Sequence, residues 1–158
     1  MRDVDDRYVV PGGAGAQEAR TPGAAPSSTA RPQQQALHLD WAHGPGGAPW
    51  RLAEISLGRL APRGLAGVFL VWFVTARDMD APRWVYVGES GDVGSRLVSM
   101  GGDTRLLSQS EGGRLLVSWA PVASLNRRGV TCFLDQVLGP VVPERHEIDS
   151  PIPVNLPA

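Results

Sequence analysis

Tyr86 and Arg96 are the side chains whose types and spacing could act together on a ligand. A guanidinium carries a planar fork of donors that matches the oxygens of a phosphate. A phenol can position or relay a proton at a reacting centre. Such a pair suits chemistry on a phosphate group, where fixed positive charge stabilises the charge that develops in the transition state. Tyr86 stands in the run Val85-Tyr86-Val87-Gly88, and Arg96 follows eight residues after that glycine.

The pair can act only if strands and a helix hold it. Val68 to Val74 is apolar without alternation, which predicts a strand covered on both faces. Residues two apart on a strand share a face, so Gly67, Phe69, Val71 and Phe73 line one side. Trp84, Tyr86 and Gly88 line one side of the next strand. The polar connection from Thr75 to Pro82 is short enough to favour antiparallel pairing, and Phe69 and Tyr86 then become neighbours. Gly88 leaves room for the following helix to approach. Ser90 stands at the N-cap position. Val93, Leu97 and Val98 form a short amphipathic helix ended by Gly101-Gly102. Arg96 lies about 60° round that helix from Val93, on the flank of the apolar face, from where it reaches over the sheet toward Tyr86.

The remaining elements follow from the same patterns. Leu52, Ile55 and Leu60 mark a short helix or turn. Leu115 to Ala120 is a third strand, stopped by Pro121. Val130, Phe133, Leu134, Val137 and Leu138 fit the spacing of a helix face, ended by Gly139-Pro140. Pro151 to Pro157 is an extended tail across the core. The order predicts a small α/β domain over residues 50–158, with a three-stranded, mainly antiparallel sheet flanked by helices. Residues 1–49 read as a disordered Pro/Gly/Ala-rich tail, although Leu37, Leu39 and Trp41 alternate as a short docking strand would.

Gly67-Val68-Phe69 and Tyr86-Val87-Gly88 on paired strands, with Arg96 on the next helix, resemble the GIY-YIG nuclease domain. The likeness runs from about residue 52 to 157. It takes in Ser90 after Glu89, the late helix ending in Gly139-Pro140, and the ending Val154-Asn155-Leu156-Pro157. The resemblance implies that Tyr86 orients or helps activate the attacking water and that Arg96 binds the scissile phosphate. It places Gly67, Phe69, Gly88 and Ser90 on the substrate side and makes Asn155 a support of the site. It also implies Mg²⁺ or Mn²⁺ as cofactor if the domain is active.

Three positions depart from the family's pattern. Phe69 lacks the hydroxyl of the first tyrosine. Thr131, in Thr131-Cys132-Phe133-Leu134, replaces the metal-binding glutamate of Glu-x-aromatic-Leu. Met100 stands where a histidine often follows the arginine by four residues. Threonine is neutral and a poor sole anchor for a divalent metal. Asp135 and Glu89 are the carboxylates left to take over, and Asp135 lies about 40° further from the apolar face than Thr131. The run Glu144-Arg145-His146-Glu147-Ile148-Asp149 reads as a solvated loop. The expected function is therefore a degenerate nuclease site that keeps phosphate or nucleic-acid binding with little or no cleavage. One alternative is an active divalent-metal endonuclease with a rearranged site using Tyr86, Arg96 and Asp135 or Glu89. Another is a protein-interaction module tethered by the N-terminal tail. A carboxylate oxygen close to both Arg96 and Tyr86 would favour the enzyme.

Composition limits these readings. The net charge is -1 and the pI about 6.3, which excludes the strongly basic balance of a dedicated nucleic-acid binder. DNA or another nucleic acid remains the expected ligand of the site, and a protein partner that of the tail. Cys132 is the only cysteine, so an intrachain disulfide or a cysteine-based zinc site is excluded and a reducing cytoplasm is expected. The N-terminus shows no apolar secretory region. The longest uncharged apolar stretch, Gly64 to Thr75, is too short to span a bilayer, so no membrane partner is expected.

Overall fold

The computed structural model describes residues 36–58, 60–78, 81–145, 147 and 149–157. The elements follow in the order β1 (Trp50–Arg51), α1 (Leu52–Ser56), β2 (Gly67–Val74), β3 (Arg83–Ser90), α2 (Val93–Met100), α3 (Thr104–Leu107), β4 (Arg114–Pro121) and α4 (Ser124–Leu138). The sheet order is β1-β4-β2-β3, and every pairing is antiparallel. The sheet thus has four strands rather than the expected three. The fourth is the two-residue β1, which pairs Trp50 with Val117 and Arg51 with Leu116. It is held by stacking of the Trp50 ring on Trp119, with centroids 6.3 Å apart.

Central strand β2 explains its own unbroken apolar run. Val68, Leu70, Trp72 and Val74 pack with Val130 and Leu134 of α4. Phe69, Val71 and Phe73 pack with Val93, Leu97 and Met100 of α2 and Leu106 of α3. Helices therefore cover both faces of the sheet, which makes β2 fully two-sided.

Strand β3 is less regular. Val71 pairs with Tyr86 but Trp72 pairs with Trp84, so Val85 is an extra residue in a β-bulge. A bulge breaks the period-two alternation. Val85 and Tyr86 both turn to the α2 side. Trp84, expected on the face of Tyr86, turns to the α4 side, where its ring lies 5.5 Å from that of Trp72.

Two caps set the helix next to Tyr86. The N-cap of α2 is Asp92, whose carboxylate accepts the Ser95 N–H. Ser90, expected there, is the last residue of β3. Its hydroxyl donates to the Asp92 carbonyl and accepts the Asp92 N–H, so it shapes the turn into the helix. At the far end of the domain, α4 stops at Gly139 in the left-handed conformation, φ 56°, which glycine adopts without a Cβ penalty.

The folded unit begins earlier than residue 50. Leu39 and Trp41 are buried in the α4-side core. Leu37 forms a parallel bridge with Val154, and the Ala42 N–H donates to the Trp119 carbonyl. The apolar alternation at 37, 39 and 41 is thus a docked segment. The remainder of the expected tail, residues 1–35, lies outside the described residues. Among the described residues no helix is long and apolar enough to cross a membrane.

Candidate functional site

Strand β3 and helix α2 bring Tyr86 and Arg96 together. Val93 and Leu97 are buried against the sheet, and the intervening Arg96 leans over the strand. Its Nη2 donates to the Tyr86 hydroxyl at 2.9 Å. Phe69 supports the phenol from below, its ring stacked on that of Tyr86 with centroids 5.7 Å apart and 22° between planes. Phe69 pairs directly with Gly88, so the two aromatic residues are diagonal neighbours on one face. A Cβ at Gly88 would lie 2.6 Å from Phe69 Cζ and 2.7 Å from Tyr86 Cε1. Gly88 therefore makes room for the rings. It does not face the following helix; the tight glycine of α2 is Gly94, packed on the loop before β2, where a Cβ would meet the Pro62 carbonyl at 2.7 Å. Gly67 lies at the β4 side, where a Cβ would stand 2.0 Å from the Ala120 carbonyl oxygen.

A third side chain completes the cluster. Glu144 accepts the Tyr86 O–H through Oε2 and an N–H of Arg96 Nη2 through Oε1 at 3.0 Å. It arrives on the chain that leaves α4. Val141 N–H donates to the Trp84 carbonyl and Val142 N–H to that of Val85, along the outer edge of β3. Burial of Val142 against the α2-side core then directs Glu144 to the phenol. The expected solvated loop thus contributes a carboxylate to the pair. Nothing in the spacing of the charged run marks Glu144 from Glu147. The available signal is physical: an arginine on the flank of a buried helix face is best held by an anion.

Electrostatics fix the protonation of the cluster. The pKa of Tyr86 is pushed up to about 12, first by burial and then by donation to the Glu144 carboxylate, with Arg96 opposing. The phenol is protonated at neutral pH and acts as a donor rather than a base. Arg96 and Glu144 keep 38% and 34% of their side-chain surface, so the cluster opens to solvent on the charged side.

The other expected residues are elsewhere. Thr131 is fully buried on α4, and its Oγ1 has no hydrogen-bond partner among the described residues, as is true of Asp135 Oδ1. Helix α4 lies on the opposite face of the sheet from Tyr86. Glu89 lines an open cleft of about 600 Å³ with Ser90, Arg127 and Arg128 at the start of α4. Met100 is core. Among the described residues no three His, Cys, Asp or Glu side chains converge. The divalent metal that the resemblance implies does not fit these residues. Thr131 and Asp135 are on the wrong face, and both oxygens of Glu144 already serve Arg96 and Tyr86.

Asn155 is also outside the cluster. Its Oδ1 accepts the Leu39 N–H at 2.6 Å and its Nδ2 donates to the Leu39 carbonyl at 3.0 Å. Its own carbonyl accepts the Trp41 indole N–H at 2.9 Å. It clips the two ends of the folded unit together on the α4 side. Asn155→Ala removes two partly buried hydrogen bonds and should destabilise the domain by about 1–2 kcal/mol, read as a lower denaturation midpoint.

Comparison of the chain with protein-family models, with curated proteins and with solved structures returns no match.

Proposed function

We propose that this is a GIY-YIG-like domain with a degenerate nuclease site, which binds phosphate or nucleic acid with little or no cleavage. The observation that carries the reading is the Arg96–Tyr86 contact, made by a helix leaning over paired strands and opening to solvent. A guanidinium and a protonated phenol together offer a phosphate several charge-assisted donors. The loss of cleavage is supported by three features. Phe69 has no hydroxyl, Tyr86 holds its proton, and Asp135 and Glu89, the carboxylates expected to replace a metal-binding glutamate, are not at the pair.

The test combines cleavage and binding. Plasmid and single-stranded DNA are incubated with the protein in Mg²⁺ or Mn²⁺, with Arg96→Ala as control, and binding is titrated against salt. The expected result is no cleavage, together with binding whose log K falls as log salt rises. Arg96→Ala should weaken that binding about tenfold or more and flatten the salt slope by about one. Absence of binding by the intact protein at low salt would sink the reading.

One observation favours a second reading. Glu144 puts a carboxylate oxygen beside both Arg96 and Tyr86, the placement expected to favour an enzyme, and a divalent metal would have to take that carboxylate away from both partners. Metal-dependent cleavage abolished by both Arg96→Ala and Glu144→Gln would establish that reading in place of the first.

A further inference from the structure

Glu144 sets a carboxylate on the two donors that would hold a phosphate. Its Oε1 takes the Arg96 Nη2 N–H and its Oε2 takes the Tyr86 O–H. Carboxylate and phosphate oxygens are both acceptors of charge-assisted hydrogen bonds from a guanidinium, so the two anions compete for the Arg96 Nη2 N–H and the phenol O–H.

The loop that delivers Glu144 is lightly held. It starts behind the left-handed Gly139 and Pro140 and is anchored by the Val141 and Val142 backbone bonds to β3. From residue 143 to 149, no backbone hydrogen bond to the sheet is made among the described residues. Among the described residues it is held by side chains instead: Glu144 on Arg96 and Tyr86, and Glu147 on Arg128, with both ion pairs partly or largely exposed. Ion pairs this accessible to water contribute little stability. Val142 is buried and bonded to β3 independently of the Glu144 side chain.

We infer that Glu144 is a built-in competitor, an internal anion that occupies the Arg96–Tyr86 seat and is displaced when a phosphate group binds. This rests on the phosphate-binding reading of the same pair. Displacement frees an Arg96 Nη2 N–H and the phenol O–H together, because one carboxylate engages both. The free protein is thereby kept from weak anions, and a ligand must outbid an intramolecular carboxylate.

The experiment compares wild type, Glu144→Gln, Glu144→Ala and the double variant Glu144→Ala/Arg96→Ala. The probe is fluorescently labelled single-stranded DNA at low salt, with inorganic phosphate as competitor. Both Glu144 variants should bind about tenfold more tightly or better than wild type. Phosphate should compete at lower concentration, and the double variant should lose the gain. Glutamine matches glutamate in size and keeps a folded comparison available if alanine disturbs the loop. Equal or weaker binding by both Glu144 variants, with wild-type binding still dependent on Arg96, overturns the competitor and leaves the phosphate site standing. No binding by any of the proteins overturns both.

Discussion

Phe69→Ala is expected to destabilise the domain by about 3–5 kcal/mol, the range for losing a fully buried aromatic side chain. Phe69 is completely buried in the centre of β2, and its ring stacks on Tyr86, which adds to the cost of losing apolar burial. The cavity would open directly beneath the phenol, so the variant should also loosen the Arg96–Tyr86 contact. The geometry at Gly88 makes the effect separable from generic core damage. A methyl group at Gly88 collides with both Phe69 and Tyr86, so Gly88→Ala alone should destabilise by about 1–3 kcal/mol. Once Phe69 is alanine, half of that collision is gone. The double variant should therefore be more stable than the sum of the singles predicts, as expected for residues that share one space. Denaturation midpoints of the four proteins measure the coupling. Strict additivity would show that the two residues do not share the space drawn here.

The elements that were legible in the sequence are those with a repeating pattern. The unbroken apolar run of β2 required cover on both faces, and it has it. The Val93 and Leu97 spacing fixed the rotation of α2, and with it the direction of Arg96. Helix α4 and its glycine stop came from the same logic. What lacked a period was not legible. Two residues of β1 cannot show alternation, and their pairing depends on Trp119, far along the chain. The bulge at Val85 exists only in the register between two strands. Leu37, Leu39 and Trp41 do alternate, but their glycine- and proline-rich surroundings argue for a tail. The partner that tips the balance, Asn155, is 116 residues away from Leu39.

The site divides in the same way. Tyr86 and Arg96 come together through strand and helix geometry, which local patterns encode. Glu144 comes through a loop whose path is set by two backbone bonds to β3 and one buried valine, and no local pattern encodes that. Asn155 shows the opposite case. A residue expected to support the site supplies instead a structural clip on the far face of the sheet. Thr131 carries a further lesson. Its side chain is fully buried on α4 with a hydroxyl unpartnered among the described residues, a placement that the helical spacing alone did not reveal.

Ionisation of Tyr86 should be displaced about a hundredfold, from the usual value near 10.0 to about 12. The sequence holds two tyrosines, Tyr8 and Tyr86, so Tyr8→Phe leaves Tyr86 as the only phenol, and its phenolate absorbance can be followed directly. Burial is the first cause of the rise and donation to Glu144 the second. Glu144→Gln should therefore bring the midpoint down part of the way, leaving the share due to burial. Folding favours the protonated phenol because its folded pKa exceeds the unfolded value. The stability it contributes is complete below pH 10 and is lost as pH rises through 12. Full conversion of the rise would give about 2.7 kcal/mol. Screening at the partly exposed Glu144 and Arg96 reduces this to on the order of 1–2 kcal/mol. Circular dichroism recorded alongside keeps ionisation distinct from alkaline unfolding. A midpoint near 10 in folded Tyr8→Phe protein would mean that the phenol is neither buried nor bound to Glu144. The seat shared by Arg96 and Tyr86 would then stand open in the free protein, and no internal carboxylate would guard it.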